Sequence, residues 1–411
     1  MKWIYGKQDW KSFERGQENC YLLTNGLGGF SSATMIGSVS RNDHALLMAC
    51  VHAPNHRYNM VHRLSEQVTL EGDSHMISSQ EFADGTREDG WRYLEEFSYE
   101  DTPVWRFLVE GVQVRKEISV EQGTNTAAVC YEITNRSSRM CDFTVTPFFQ
   151  FTPKGSEPKP SQVFEREEGC VRSNGLSLYF WTDAEVKEIP EISEVYFYSY
   201  DDCDGRRPTG LAKANHRICK TVNPGEKCRL ELVYSMETTE KKAASILAGH
   251  RAYRKKLEEL AGFSSELAAF LAKSANQFVS RRESTDGETI LAGFPFFEDW
   301  GRDTMIALPG ICISTRQYGT AREILRTFAA YEKDGLMPNL FPEGGEAPLY
   351  NTVDAALLFI NCVYLYYQAT GEKAFVREMY PVAERIVKSY RQGTHFGIHM
   401  DEDGLIMAGQ E

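Results

Sequence analysis

Pro295-Phe296-Phe297-Glu298-Asp299-Trp300-Gly301-Arg302-Asp303-Thr304 is the stretch on which the reading of this sequence turns. An aromatic run delivers two acids, a tryptophan, a glycine and an Arg-Asp pair to the start of an apolar segment, Met305-Ile306-Ala307-Leu308. Ionic groups set among that many rings are costly unless they are paired or have a ligand to bind. The apolar spacing that follows predicts a helix over about 304–316, so the polar cluster stands where a loop enters a helix.

Working outward from there, the chain stays helical. The period predicts helices over about 320–333, 352–370 and 373–391, and upstream over about 265–282, where Ser264-Ser265-Glu266 makes the start and Leu267, Phe270, Leu271, Ser274, Ala275 and Phe278 form the stripe. The 352–370 segment is apolar nearly all round, which predicts burial on most sides. A loop from Gly335 to Leu349 carries Pro338, Asn339, Pro342, Glu343, Gly344 and Gly345, and a hairpin signal over 399–407 turns at Asp403-Gly404. About five helices alternating with loops tipped by Trp, Asn, Asp and Glu are the layout of a helical barrel with a site built from loops at one end.

Before residue 237 the period is two. Runs such as 104–109, 112–118, 128–133, 143–145, 176–180, 195–198 and 230–234 alternate apolar and polar residues between Gly, Asn, Asp and Pro, with no helical pattern between them. That predicts an antiparallel sandwich. The division is then a β-sandwich over 1–236, a linker helix over 237–262 capped near Thr238-Thr239-Glu240, and a helical domain over 263–411. Asn25-Gly26-Leu27-Gly28-Gly29-Phe30 lacks the G-x-G-x-x-G spacing and is followed by a strand pattern, so it reads as a tight turn, not a phosphate loop. His52 and His56 flank a proline and read as solvated loop histidines, not metal ligands.

Composition sets the outer limits. At 411 residues with 42% hydrophobic and 25% charged residues, the chain has material for two or three globular cores. A net charge of −13 argues against nucleic acid and against an anionic membrane surface. No apolar run approaches the roughly eighteen residues of a membrane span. The ten cysteines are scattered, with no C-x-x-C, so neither a zinc site nor a disulfide framework is indicated, and a reducing cytoplasm is expected.

Sugar recognition needs aromatic faces for the C–H surface of the ring and bidentate polar groups for adjacent hydroxyls. Trp300 can supply the first; Arg302 as a donor fork and Asp303 as an acceptor can supply the second. Tyr350-Asn351-Thr352-Val353-Asp354 again sets an aromatic, an amide and a carboxylate at a helix start. Spacing alone favours plainer roles. Asp303 would be the N-cap of a helix beginning at Thr304, worth about 1 kcal/mol. Asn351 with Asp354 has the form of a capping box. Glu298 and Asp299 would make surface ion pairs, and Trp300 and Tyr350 would be ordinary core aromatics.

Longer motifs change that balance. Phe296 through Gly310, with Ser280-Arg281-Arg282, Thr289-Ile290-Leu291-Ala292-Gly293, Gly335-Leu336-Met337-Pro338-Asn339 and Tyr350-Asn351-Thr352-Val353-Asp354-Ala355, resembles the bacterial and archaeal glycogen debranching enzymes, the amylo-α-1,6-glucosidases. Glu18 through Phe30 resembles the same family's N-terminal domain; Arg41-Asn42-Asp43-His44-Ala45-Leu46-Leu47 departs from it where Tyr-His-Gly usually precedes the two leucines. The resemblance implies an antiparallel β-super-sandwich followed by an (α/α)6 barrel, here incomplete. It implies inverting hydrolysis of α-1,6-glucosidic branch stubs of glycogen by two carboxylic groups about 6.5–9.5 Å apart. It assigns Trp300, Arg302 and Asp303 to the terminal glucose, with Tyr350, Asn351 and Asp354 as further binders, and it implies no cofactor or metal. Neither catalytic carboxylate of the family is matched; both are expected beyond Glu411. The chain alone is therefore expected to be inactive, its partners being glycogen or an α-glucan oligosaccharide and, through self-association or a complementing C-terminal segment, the rest of a barrel. A non-catalytic glycan-binding protein and one half of a split glucosidase are the alternatives.

Overall fold

The computed structural model describes residues 1–238, 240–341 and 347–408. The chain divides into two compact units, one of residues Met1–Val51 and Arg57–Arg254, the other of His52–His56 and Lys255–Glu411.

The first unit is built from two large antiparallel sheets. One has nine strands in the order Trp3–Gly6, Leu94–Tyr99, Pro103–Val109, Val112–Val120, Thr126–Asn135, Lys227–Ser235, Leu176–Thr182, Cys170–Ser173 and Glu165–Glu167. The other runs Glu185–Phe197, Thr209–Val222, Cys141–Pro153, His56–Leu70, Ala45–His52, Phe30–Thr34 and Cys20–Thr24, with Asp73–Met76 paired to His56–Leu70. The alternation in sequence is the cause. In Pro103–Val109, Trp105, Phe107 and Val109 are buried while Arg106 and Leu108 face out, because successive side chains leave a strand on opposite faces. Inward residues of both sheets, among them Val114, Val129, Tyr131, Val68, Phe143 and Val145, share one core. Every alternating run named above lies in or overlaps a strand. Asn25–Phe30 is the turn between Cys20–Thr24 and Phe30–Thr34, with Gly26 at φ 74° and Gly28 at φ 91°, a conformation open to glycine at no steric cost.

Inside this core the sandwich buries ions, and it pairs them. Lys116 Nζ donates to Glu66 Oε1 at 2.5 Å, and the Tyr131 hydroxyl donates to the same oxygen at 2.8 Å. Arg63 is paired with Glu88 at 2.5 Å.

The helix Ala243–Ala261 begins later than its expected cap near Thr238; Thr239 lies outside the described residues. The second unit holds the helices Glu266–Ala275, Gly301–Leu308, Tyr318–Ala330, Ala355–Thr370 and Lys373–Gln392, with a π-turn over Pro309–Ile313. Three sequence expectations need correcting here. The helix expected over 265–282 stops at Ala275, and Val279–Arg282 is instead a strand paired with Gly287–Ile290. Its turn contains Asp286 at φ 48° followed by Gly287, so an Asp-Gly hairpin overrides the helical period. Leu267 and Leu271, counted on the apolar stripe, are exposed, and Phe270 points inward with Ala269 and Ala272. The helix Ala355–Thr370 buries only one face, through Ala355, Ala356, Phe359, Cys362, Val363 and Tyr366, and leaves Leu357 and Tyr364 exposed. Its inner face joins Met305, Leu308, Phe328, Leu336 and Ile386 in the core of this unit. The loop expected over 335–349 is described only in part, Pro342 to Glu346 lying outside the described residues.

Candidate functional site

Trp300-Gly301-Arg302-Asp303 is held between two buried anchors. On one side Asp299 is 0% exposed, and on the other Thr304 is equally inaccessible. Both are tied to the strand Gly287–Ile290: Thr289 Oγ1 donates to Asp299 Oδ2 at 3.2 Å, and Thr304 Oγ1 donates to the Ile290 carbonyl at 3.1 Å. Between them Gly301 donates its N–H to the Asn339 carbonyl at 2.8 Å. A side chain at this position would place Cβ 1.9 Å from the Pro338 carbonyl oxygen, so only glycine lets the two backbones approach.

Asp299 corrects the expectation of a surface ion pair. The Arg282 guanidinium is paired with Asp299 Oδ2, and Asn55 Nδ2 donates to Oδ1 at 3.3 Å. Arg282 in turn lies over the Phe341 ring, Cζ 4.2 Å from its centroid, and burial pulls its guanidinium down to about 10. A charge in that setting is tolerable only with its counterion in place. Asn55 belongs to the short segment His52–His56, held by Glu283 N–H donating to the Ala53 carbonyl at 3.1 Å and by His52 Nδ1 at 3.3 Å from Glu283 Oε2.

The capping roles that spacing suggested are not the ones observed. The helix begins at Gly301 with Trp300 as N-cap, and Asp303 is an exposed acid within its first turn. There it complements the helix dipole instead of capping. Likewise the second helix begins at Ala355 with Asp354 as N-cap and no side-chain capping bond; Asp354 Oδ1 instead accepts from Thr352 Oγ1 at 3.0 Å. Trp300 and Tyr350 are half-buried, not core aromatics.

The structure brings the two clusters together. Trp300 bridges to Leu340 and Leu340 bridges to Leu349, a short ladder in which Leu340 lies between the Trp300 stretch and the segment leading into Tyr350. Arg302 Nη1 lies 3.6 Å from Asp354 Oδ2, both side chains largely open to solvent at 57% and 40%. Asn351 is exposed beside them, and the Tyr350 hydroxyl is turned away to donate to the Tyr331 carbonyl at 2.8 Å. An exposed guanidinium, two carboxylates, an amide and an indole on adjoining helix starts form a surface of hydrogen-bond donors and acceptors suited to hydroxyl groups. Among the described residues no group of three His, Cys, Asp or Glu is placed to hold a metal ion. Reading from sequence missed Asn55, Arg282 and Thr289; the Asp286-Gly287 dipeptide between two short runs is the signal that would have exposed the hairpin bearing the last two.

Comparison with known proteins fits this arrangement. Residues 19–228 match the family described as glycogen debranching enzyme N terminal, and residues 273–411 match amylo-alpha-1,6-glucosidase. The chain belongs to the glycogen debranching enzyme family. The glycogen debranching enzyme of Saccharomyces cerevisiae is 37% identical to it over 125 residues, 27% of this chain and 8% of the yeast protein. The chain thus spans a small fraction of the length of that debranching enzyme. Among solved structures, one provisionally named kojibiose phosphorylase from human microbiome superposes with a TM-score of 0.50 at 9% identity, over 98% of this chain and 60% of that one. That likeness is one of fold. A bacterial glucoamylase complexed with acarbose superposes at a TM-score of 0.45 and 12% identity, over 90% of this chain and 58% of the other.

Proposed function

We propose that the 411-residue chain carries the glucose-gripping side of an α-1,6-glucosidase site, and that its helical unit is part of an (α/α)6 barrel following a sandwich over 1–236 and a linker helix over 237–262. The observation that carries this reading is the 3.6 Å approach of Arg302 to Asp354 across two helix starts, beside Trp300, Asp303, Tyr350 and Asn351. In that reading the indole covers one face of a terminal glucose. Arg302, Asp303 and Asp354 exchange their mutual contacts for adjacent hydroxyls, and Asn351 adds an amide. The family reaction is inverting hydrolysis between an acid and a base far enough apart to admit a water. Asp303 and Asp354 take neither role in this reading, because both stand in the places of substrate binders, and Asp299 beside them is locked to Arg282.

Two measurements test the reading. Calorimetric titration of the chain with panose, which ends in an α-1,6-linked glucose, should show binding that Arg302→Ala abolishes; unchanged binding in the variant refutes the assignment. Release of glucose from a phosphorylase limit dextrin should be absent, and its appearance would show that the reacting groups are already present.

A second reading, that the unit is completed by another copy or another segment, is favoured by the exposed Ile306, Leu357 and Tyr364. Leu357 and Tyr364, about two turns apart on one helix, share a face, and a continuous exposed apolar face marks an association surface. Sizing chromatography tests it: a concentration-independent monomer tells against it.

A further inference from the structure

We propose that Asn55 is a positioning residue for the sugar grip, acting through Asp299 on the Trp300–Asp303 stretch; the proposal rests on the reading of Trp300, Arg302 and Asp303 as sugar-binding residues. Asp299 immediately precedes Trp300, so wherever its carboxylate is pinned fixes the peptide from which the indole and the first helical turn depart. Three side chains do the pinning. Arg282 and Thr289 come from the two strands of one hairpin and both hold Oδ2. Asn55 alone among them holds Oδ1. With both pulls on one oxygen, the carboxylate is free to pivot about it unless the other oxygen is held. The Asn55 amide is therefore the contact that fixes its plane.

The amide has no comparable duty within its own segment. His52–His56 is held by the backbone bond from Glu283 to Ala53 and by the His52–Glu283 contact, neither of which uses the Asn55 side chain. Its carbonyl oxygen, Oδ1, is buried without a hydrogen-bond partner among the described residues, an arrangement that disfavours an amide here unless its donor end is needed. The orientation of the amide is settled by charge: the opposite flip would set carbonyl oxygen against carboxylate. The segment lies 244 positions before Asp299 in sequence, between the strands Ala45–His52 and His56–Leu70.

The charged and titratable groups around this contact are Arg282 and Glu298, with Tyr331 near the guanidinium, and His52 with Glu283 on the adjoining segment. Every variant is compared with the wild-type chain at the same pH.

The test is panose titration of the full chain at pH 5 and pH 8, with folding followed by circular dichroism. Asn55→Ala should weaken binding by about tenfold or more, the scale of loss when a binding group is left loose, while the variant still melts cooperatively. Asn55→Asp should bind close to wild type at pH 5, where two facing carboxyls share a proton, and lose about tenfold at pH 8, where both ionise and repel. Folded Asn55→Ala with wild-type affinity overturns the proposal and leaves the sugar site standing. If Asn55→Ala does not fold, Asn55→Asp decides: equal affinity relative to wild type at the two pH values overturns it, and so does unfolding of that variant at either pH, which would make the amide a support of the fold instead. Wild-type chain that does not bind panose, with Arg302→Ala no different, removes the underlying reading and this proposal with it.

Discussion

Asp299 and Arg302 stand three positions apart, and each is half of an arginine–aspartate pair, yet the pairs are opposites. Arg282–Asp299 is closed off from solvent, with Thr289 and Asn55 also donating to the carboxylate and Phe341 covering the guanidinium. Arg302–Asp354 is open to water at a looser 3.6 Å. Withdrawing two ions from water is costly, and losing one partner strands the other. An exposed pair gains little and loses little when it parts. The same two residue types therefore fix geometry in one place and stay available to a ligand in the other.

The comparison can be broken in four ways, of decreasing size. Arg282→Ala should lower stability by about 3–5 kcal/mol, since it leaves Asp299 buried without its counterion. Urea denaturation reads this directly, and a loss below about 1 kcal/mol would mean that water reaches the carboxylate. Gly301→Ala should cost about 1–3 kcal/mol, because backbone must move to admit Cβ against Pro338. The same denaturation curves would show no change if that approach were slack.

The third concerns the sandwich, where burial extends to imidazoles. His62 accepts from Asn59 Nδ2 at 3.0 Å and meets the Tyr198 hydroxyl at 2.9 Å, and burial pulls its pKa down to about 3. The unfolded chain then binds the proton more readily, so stability present above about pH 6.5 is lost as pH falls toward 3. His62→Gln should flatten this acid slope by up to about 1.4 kcal/mol per pH unit, seen in melts between pH 7 and 5. An unchanged slope would mean that His62 binds its proton equally well in the folded and unfolded chain. The smallest effect belongs to the exposed pair. Asp354→Asn should change stability by no more than about 0.5 kcal/mol, so a larger drop in the urea midpoint would show that the pair supports the fold.

Much of this was legible in the sequence, and for identifiable reasons. Alternation in runs such as 104–109 and 112–118 specifies strands because one face is buried, and a slip of one residue would invert it. The start of a helix just after Trp300 was legible to within a turn from the apolar residues beginning at Met305. Asp303 was misjudged because capping patterns depend on the exact first residue, which spacing alone leaves uncertain. The helix over 265–282 was overextended because Phe278 keeps the period of Phe270 and Leu271 beyond Ala275, while Asp286-Gly287 governs the local geometry. The role of Asp299 had no local signature at all. Its partners lie 10, 17 and 244 positions away, and neither period nor turn chemistry reports on contacts of that range. Asn55 was invisible for the same reason.

The membership of His52–His56 in the helical unit has a practical consequence for anyone who would treat this protein as two interchangeable modules. A polypeptide starting at Lys255 would contain every helix of that unit from Glu266 onward and would still lack five of its residues, Asn55 among them. Grafting the helical piece onto a related sandwich would import whatever the host carries at that strand tip. Successful chimeras should be those in which the tip and the hairpin Val279–Ile290 are exchanged together.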